Sequence, residues 1–157
     1  FRMQIVPSLN EIKSEFLNVI ELHRNFVRDT KPGENVINST AFLCRLNEKI
    51  SQFINLPVSK VYISTKTLKH LYDKRSAQVY DCLLGHMPAI VKYPDLLYRN
   101  KRDKSGDYIF VKAVCGYSYM CSVKYIQTND CGKLNIITAF SVKPEYMKDF
   151  KLLWSWK

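Results

Sequence analysis

Apolar residues recur at helical spacing in the first third of the chain. Leu9, Ile12, Phe16, Val19, Ile20, Leu22, Phe26 and Val27 fall near a helical period, predicting a helix over 9–28. Ser8 or Asn10 can open it, with Glu11 in the first turn, and Lys31-Pro32-Gly33 breaks the chain after it. Phe42, Leu43, Leu46, Ile50, Phe53 and Ile54 predict a second helix over 40–55, stopped by Asn55 and Pro57. Lys60-Val61-Tyr62-Ile63 reads as a short strand, after which Ser64 or Thr65 can cap a helix over 66–75. Another helix is predicted over 77–92, with Val79, Tyr80, Leu83, Leu84, Met87 and Ile90 on its apolar face and Pro88 expected to kink or shorten it.

Beyond Pro94 the period changes. Leu96–Asn100, Tyr108–Val114, Tyr119–Gln127 and Lys133–Phe140 are rich in β-branched and aromatic residues. Asp103-Lys104-Ser105-Gly106, Gly116-Tyr117 and Asn129-Asp130-Cys131-Gly132 separate them with turn chemistry. Four strands joined this way predict an antiparallel meander. Tyr146, Met147, Phe150, Leu153 and Trp154 suggest a final amphipathic helix or tail from Pro144 to Trp156, turned inward. The expected fold class is α+β, with N-terminal helices packed on a four-stranded antiparallel β-meander. The expected division is a helical segment over 1–57, for scaffolding or partner docking, and an α+β domain over 58–157.

Charge sharpens the picture. The formal net charge is +10, and it is unevenly shared. Residues 1–59 hold seven Lys/Arg against six Asp/Glu, and residues 60–157 hold seventeen against eight. Such self-repulsion does not help folding, so a polyanionic partner is the natural explanation: nucleic acid first, an anionic membrane surface second, a merely lysine-rich surface as the plain alternative. A hydrophobic fraction of 46% suffices for a packed core. No apolar run has the length of a membrane-spanning helix, and no membrane partner is expected. The first residues lack the apolar core of a secretory signal. The chain starts at Phe1, as a piece of a longer or processed protein would.

Five cysteines, Cys44, Cys82, Cys115, Cys121 and Cys131, form no CxxC pair and no zinc-ligand spacing. They read as reduced, mostly buried thiols of a cytoplasmic protein. Neither HExxH nor a cluster of histidines and carboxylates appears, so no metal and no cofactor is expected.

Two segments are candidates for chemistry. In Thr67-Leu68-Lys69-His70-Leu71-Tyr72-Asp73-Lys74-Arg75, His70 and Lys74 stand four residues apart and share a helix face. An imidazole with cations one turn away can bind phosphate and exchange a proton near neutral pH; the plain alternative is a solvated basic face. In Ile136-Ile137-Thr138-Ala139-Phe140-Ser141-Val142-Lys143, Thr138 and Phe140 point the same way on a strand, with Lys143 near its end. Thr is also simply a good strand former. Arg99, Lys101 and Arg102 line a strand end, and Lys112 and Tyr119 belong to a set of interleaved cations and tyrosines. Such residues can hold phosphates and stack on unpaired bases, or pack in core and rim.

Taken in order, Tyr62-Ile63-Ser64, Leu68-Lys69-His70 and Ile137-Thr138-Ala139-Phe140 resemble the barnase–EndoU–colicin–RelE-like nuclease superfamily, and its phage and contact-dependent toxin branches most of all. The resemblance covers residues 58 to about 150. It implies metal-independent RNA cleavage, often of tRNA, on the open face of the sheet beside the helix. The family's helix histidine falls on His70, its accompanying cations on Lys69, Lys74 or Arg75, its strand hydroxyl on Thr138 and the nearby aromatic on Phe140. EndoU-type sites use two histidines. Here one matches, while His86 reads as structural or exposed and His23 as irrelevant to the site.

The chemistry so implied is attack of the ribose 2′-hydroxyl on phosphorus, giving a 2′,3′-cyclic phosphate. His70 would act as base or acid; Lys74, Arg75 and Lys143 would stabilise charge; Thr138 would bond a non-bridging oxygen. The resemblance also implies a toxin with an acidic immunity or antitoxin partner, delivered by a phage or within a larger secreted protein. The alternative is a non-catalytic nucleic-acid-binding or phage host-interaction protein on the same fold.

Overall fold

The computed structural model describes residues 18–101, 106–127 and 132–156. Each described α-helix opens where a short polar side chain caps it. Asn47, Ser64 and Ser76 accept from the backbone N–H of Ile50, Thr67 and Val79, and start α1 (Glu48–Ile54), α2 (Thr65–Lys74) and α3 (Ala77–Lys92). Asn55, left-handed at φ 54°, closes α1. Helix α3 runs through Pro88 to Lys92, so the expected shortening does not occur. A helical proline costs about 3 kcal/mol. Against that, α3 buries Leu83, Leu84, Met87, Ile90 and Val91 on both sides of it, each contributing about 1.5–3 kcal/mol.

Among the described residues seven strands form one mixed sheet: β1 (Thr40–Arg45), β2 (Lys60–Ser64), β3 (Leu96–Arg99), β4 (Tyr108–Val114), β5 (Tyr117–Gln127), β6 (Gly132–Val142) and β7 (Lys151–Ser155). The order is β1-β2-β6-β5-β4-β3-β7. β2 and β6 run parallel and every other pair is antiparallel. The α+β class stands, but the expected four-stranded sheet is corrected to seven.

Two helix expectations are corrected with it. Residues 40–45 form β1 rather than the first turns of a helix, because they pair with β2, whose outer edge would otherwise be bare. The helix predicted over 144–156 is a 3₁₀ turn, Pro144–Met147, followed by β7, which closes the outer edge of β3. Of the helix predicted over 9–28, residues 18–22 are helical and His23–Val27 form a π-helical turn; residues 9–17 lie outside the described ones. This segment packs on α2.

Helices α2 and α3 cover one face of the sheet. Leu68, Leu71, Leu83, Met87 and Ile90 meet Leu43, Ile63, Leu97, Phe110 and Ile136 there in one core. Among the described residues no α-helix packs on the other face. The 3₁₀ segment crosses it, burying Met147 against Ile109, Val111 and Met120 with Phe140 and Phe150 alongside. The β4–β5 hairpin turns at Cys115 and Gly116, both at positive φ (51° and 85°), the type I′ geometry that suits the twist of a two-residue hairpin.

Candidate active site

Strand β2 pairs with β6 only at Val61–Leu134 and Tyr62–Asn135, then turns into α2. The remaining edge of β6 would expose backbone carbonyls, and α2 supplies side chains for them. The Thr67 hydroxyl donates to the Ile136 carbonyl at 3.2 Å, and Arg75 Nε donates to the Ala139 carbonyl at 2.8 Å. Arg75 then reaches over the edge to the helix-free face. There Nη2 donates to Thr138 Oγ1 at 3.0 Å, and the guanidinium carbon stands 5.3 Å from the centre of the Phe140 ring.

That contact exists because β6 carries a bulge. Ser122 pairs with Thr138 and the next residue, Val123, with Ile136, leaving Ile137 extra. Leu134 and Ile136 point to the helices before the bulge, and Ala139 does so after it. Thr138 and Phe140 therefore face the opposite way, alongside Ser122 and Met120.

The two hydrogen bonds use two of the five guanidinium N–H donors. The others can meet an anion from a half-buried group that is already oriented. Burial lowers the guanidinium pKa, but arginine stays charged throughout the physiological range. A fixed fork of this kind matches two oxygens of a phosphate.

From Phe140 an aromatic row crosses the same face. Phe140 meets Tyr146 edge-on at 5.8 Å, Tyr146 meets Phe150 at 5.6 Å, and Phe150 meets Tyr98 at 6.5 Å. The Lys101 ammonium stands 4.8 Å from the Phe150 ring at the far end. Tyr146 is 48% exposed. An exposed ring among cations is a stacking platform for a base. Sequence reasoning placed Tyr146 and Phe150 inward on a helix and so missed this use of them. Their spacing of four residues suits either structure.

Other predicted residues are placed elsewhere. His70 is exposed on α2 and lines a cleft of about 290 Å³ with Glu34, Asn35, Lys66 and Asp73; Thr138 does not line it. At about 100° per residue, His70 lies on one flank of α2, Arg75 on the other and exposed Lys74 between them. Lys69 is buried, its ammonium donating to the Lys31 carbonyl and to Asp73, each at 2.6 Å. It pins the loop over residues 31–34 to α2, and its donation is the main reason that the Asp73 carboxyl lies below its ordinary range.

Tyr119 faces the helices, buried. Its hydrogen bond with the Cys82 thiol, aided by burial, pushes its phenol up to about 12, so it offers no ring to a base. Lys112 donates to the Tyr93 carbonyl at 2.8 Å and lies 3.8 Å from Asp95. Arg99 stacks on Tyr108 at 5.1 Å, and Lys143 is exposed where the 3₁₀ turn begins. Arg102 lies outside the described residues. His23 bonds the Tyr80 hydroxyl at 2.8 Å and packs against Tyr72; burial is the main cause that lowers its pKa. His86 is exposed, beside the Cys82 carbonyl at 3.0 Å.

Among the described residues no group of three or more His, Cys, Asp or Glu is placed to hold a metal ion. No helix among them is long and apolar enough to cross a membrane.

A basic α+β domain that presents a clamped arginine, a strand hydroxyl and a row of rings on one sheet face has the parts of a phosphodiester-handling protein. The family model for phage-Barnase-EndoU-ColicinE5/D-RelE like nuclease 3 matches residues 43–149, well over half of the chain, and the protein belongs to that nuclease family. No curated protein and no solved structure matches it.

Proposed function

We propose that the protein is an endoribonuclease that binds single-stranded RNA across the helix-free face and cleaves it by attack of the 2′-hydroxyl, without a metal. The observation that carries this reading is the Arg75 fork, held by the Ala139 carbonyl and Phe140 and bonded to Thr138. A pentavalent phosphorane gathers negative charge on its non-bridging oxygens. A preorganised donor aimed at such charge contributes about 10²–10³-fold in rate. Thr138, turning its hydroxyl proton outward while accepting from Arg75, adds a second donor.

His70, Lys74 and Arg75 form a basic band around the C-terminal half of α2. RNA bending around that band would meet the His70 imidazole as the proton-transfer group, a contribution of about 10²–10⁴-fold. Tyr146 and Phe150 would stack the bases that follow. Cleavage of tRNA, a toxin role and an acidic inhibitor that covers this face belong to the same reading.

A second reading, a non-catalytic nucleic-acid-binding module, is favoured by one observation. The His70 cleft is lined by the 33–36 loop and not by Thr138. One experiment separates the two readings: incubation with total RNA in EDTA, for the wild type, Arg75→Ala and His70→Ala. The proposal expects cleavage to cyclic-phosphate ends by the wild type and its loss in both variants. RNA left intact by the folded wild type, but retarded on a gel, supports the module. Cleavage that survives both substitutions removes the assigned site.

A further inference from the structure

A cavity of about 580 Å³ opens on the helix-free face among β1, β2 and the start of β6, lined by Arg45, Lys60, Tyr62, Lys133 and Val58. Its volume lies within the range of small-ligand sites. Arg45 and Lys60 are paired directly across β1 and β2. Like charges opposed in this way destabilise an antiparallel pair, and Lys133 adds a third cation from β6. Among the described residues no carboxylate lies in ion-pair contact with any of the three. Tyr62 stands among them as a fixed plate. Phe42 meets its ring edge-on at 5.8 Å, and the Lys133 ammonium lies 5.8 Å from its centre. A concentration of positive charge on three strands, around an immobilised ring, fits a nucleotide: phosphate for the cations and a base for the ring.

We propose that this cavity is a second nucleotide subsite for the RNA strand that Arg75 holds, with Tyr62 stacking a base and Arg45, Lys60 and Lys133 neutralising its phosphates. The inference rests on the ribonuclease reading and adds where a flanking nucleotide sits. Tyr62 pairs with Asn135, and across the bulge Asn135 and Thr138 lie opposite Lys124 and Ser122, two residues apart on β5, a separation of about 7 Å along a strand. The two positions therefore suit nucleotides near one another on one chain. An acidic protein would also answer the charge. The size of the cavity and the aromatic ring within it favour a flat base.

The test is fluorescence anisotropy of the whole chain with a short, uncleavable 2′-O-methyl oligoribonucleotide in EDTA, titrated over a range of salt. K60Q/K133Q should lower the salt slope by about 1.4, the value for two lost contacts to a single strand. Tyr62→Ala should weaken binding roughly 5- to 150-fold, the loss of one stacked base, and leave duplex RNA binding unchanged. K60R/K133R, which keeps the charge, should bind as the wild type does and so separates lost charge from lost fold. If the wild type binds the oligonucleotide while K60Q/K133Q and Tyr62→Ala match it in affinity and slope, the subsite is refuted and the ribonuclease reading stands. A wild type that does not bind the oligonucleotide at all ends both. Tighter binding of poly-glutamate than of the oligonucleotide, abolished in K60Q/K133Q, would make the cavity a protein-docking surface and overturn the inference.

Discussion

Replacing Arg75 by lysine keeps the positive charge and removes the fork. A single ammonium nitrogen in its place cannot occupy the positions of both Nε and Nη2, now 2.8 Å from the Ala139 carbonyl and 3.0 Å from the Thr138 hydroxyl, so at least one of the two bonds should be lost or lengthened. A charge-assisted bond contributes about 1.5–3 kcal/mol when buried; this one is half-exposed and water replaces it in part, so the folding cost should be about 1–1.5 kcal/mol. That corresponds to a fall in Tm of about 2–6 °C for a chain of this length, which leaves the fold intact. The catalytic cost should be larger, because a flexible ammonium does not hold two phosphate oxygens in register. We expect kcat/KM for RNA cleavage to drop about 10²-fold, with the loss mostly in kcat, as for removal of one preorganised donor. Thr138→Val alone should cost about 5- to 10-fold, from a hydrogen bond of about 1 kcal/mol. In Arg75→Lys the fork that orients the hydroxyl is gone, so Thr138→Val should then cost less: contacting residues are non-additive. The assay is a double-mutant cycle on a fluorogenic oligoribonucleotide in EDTA, with melting curves beside it. A folded Arg75→Lys protein that cleaves at the wild-type rate, or full additivity in the cycle, would refute the clamp as the source of charge stabilisation.

Lys69→Met should cost about 1–3 kcal/mol, because Asp73 and the Lys31 carbonyl lose a donor at a nearly closed site; hydrogen exchange at Gly33 should accelerate. Since the Asp73 carboxyl is held below its usual value, its contribution is whole above about pH 3.8 and is lost as pH falls through the folded pKa, so the same variant should flatten the acid limb of a Tm–pH curve. His23 has its pKa lowered, so the unfolded chain binds the extra proton more readily. Its contribution is whole above about pH 6.5 and fades as pH falls below that, and Tm should drop less between pH 7.5 and 5.5 in His23→Gln. Tyr119→Phe should leave oligonucleotide affinity unchanged while lowering Tm through loss of the bond to Cys82. A weakened affinity there would put Tyr119 back among the stacking residues.

Where a segment met only one reading of its apolar pattern, the sequence was sufficient. Ser64 capped α2 where a short side chain was offered, α3 formed over the predicted 77–92, and the β-branched and aromatic runs after Pro94 became β3 to β6. It was insufficient where the spacing served two structures. Phe42, Leu43 and Leu46 match a helix face, yet β1 is bulged between Phe42 and Cys44, which breaks the alternation that marks a strand. Tyr146, Met147 and Phe150 match a helix as well, and it was the free edge of β3 that drew the following residues into β7.

The parts of the candidate site were legible as residue types. Arg75 and Thr138 stood out as a cation and a hydroxyl, but their pairing spans 63 positions of chain and depends on β2 ending early. Lys69 and Tyr119 carry the right chemistry for a nucleic-acid surface and spend it internally, which only their burial reveals. Tyr62 and Lys133 gave no local sign of meeting, since the parallel pairing of β2 with β6 brings them together.

Ile137 gives β6 a counting rule. If every residue of β6 were paired in plain alternation with Ile137 kept, Thr138 would follow Ile136 under the helices and Ala139 would take its place on the outer surface. Skipping one residue shifts the phase and brings the hydroxyl out. Deleting Ile137 removes the need to skip: Ile136 stays inward, Thr138 outward and Ala139 inward, in strict two-residue alternation, so the hydroxyl survives the loss of that position. Two phases are therefore open to the full-length strand, and only one of them displays Thr138.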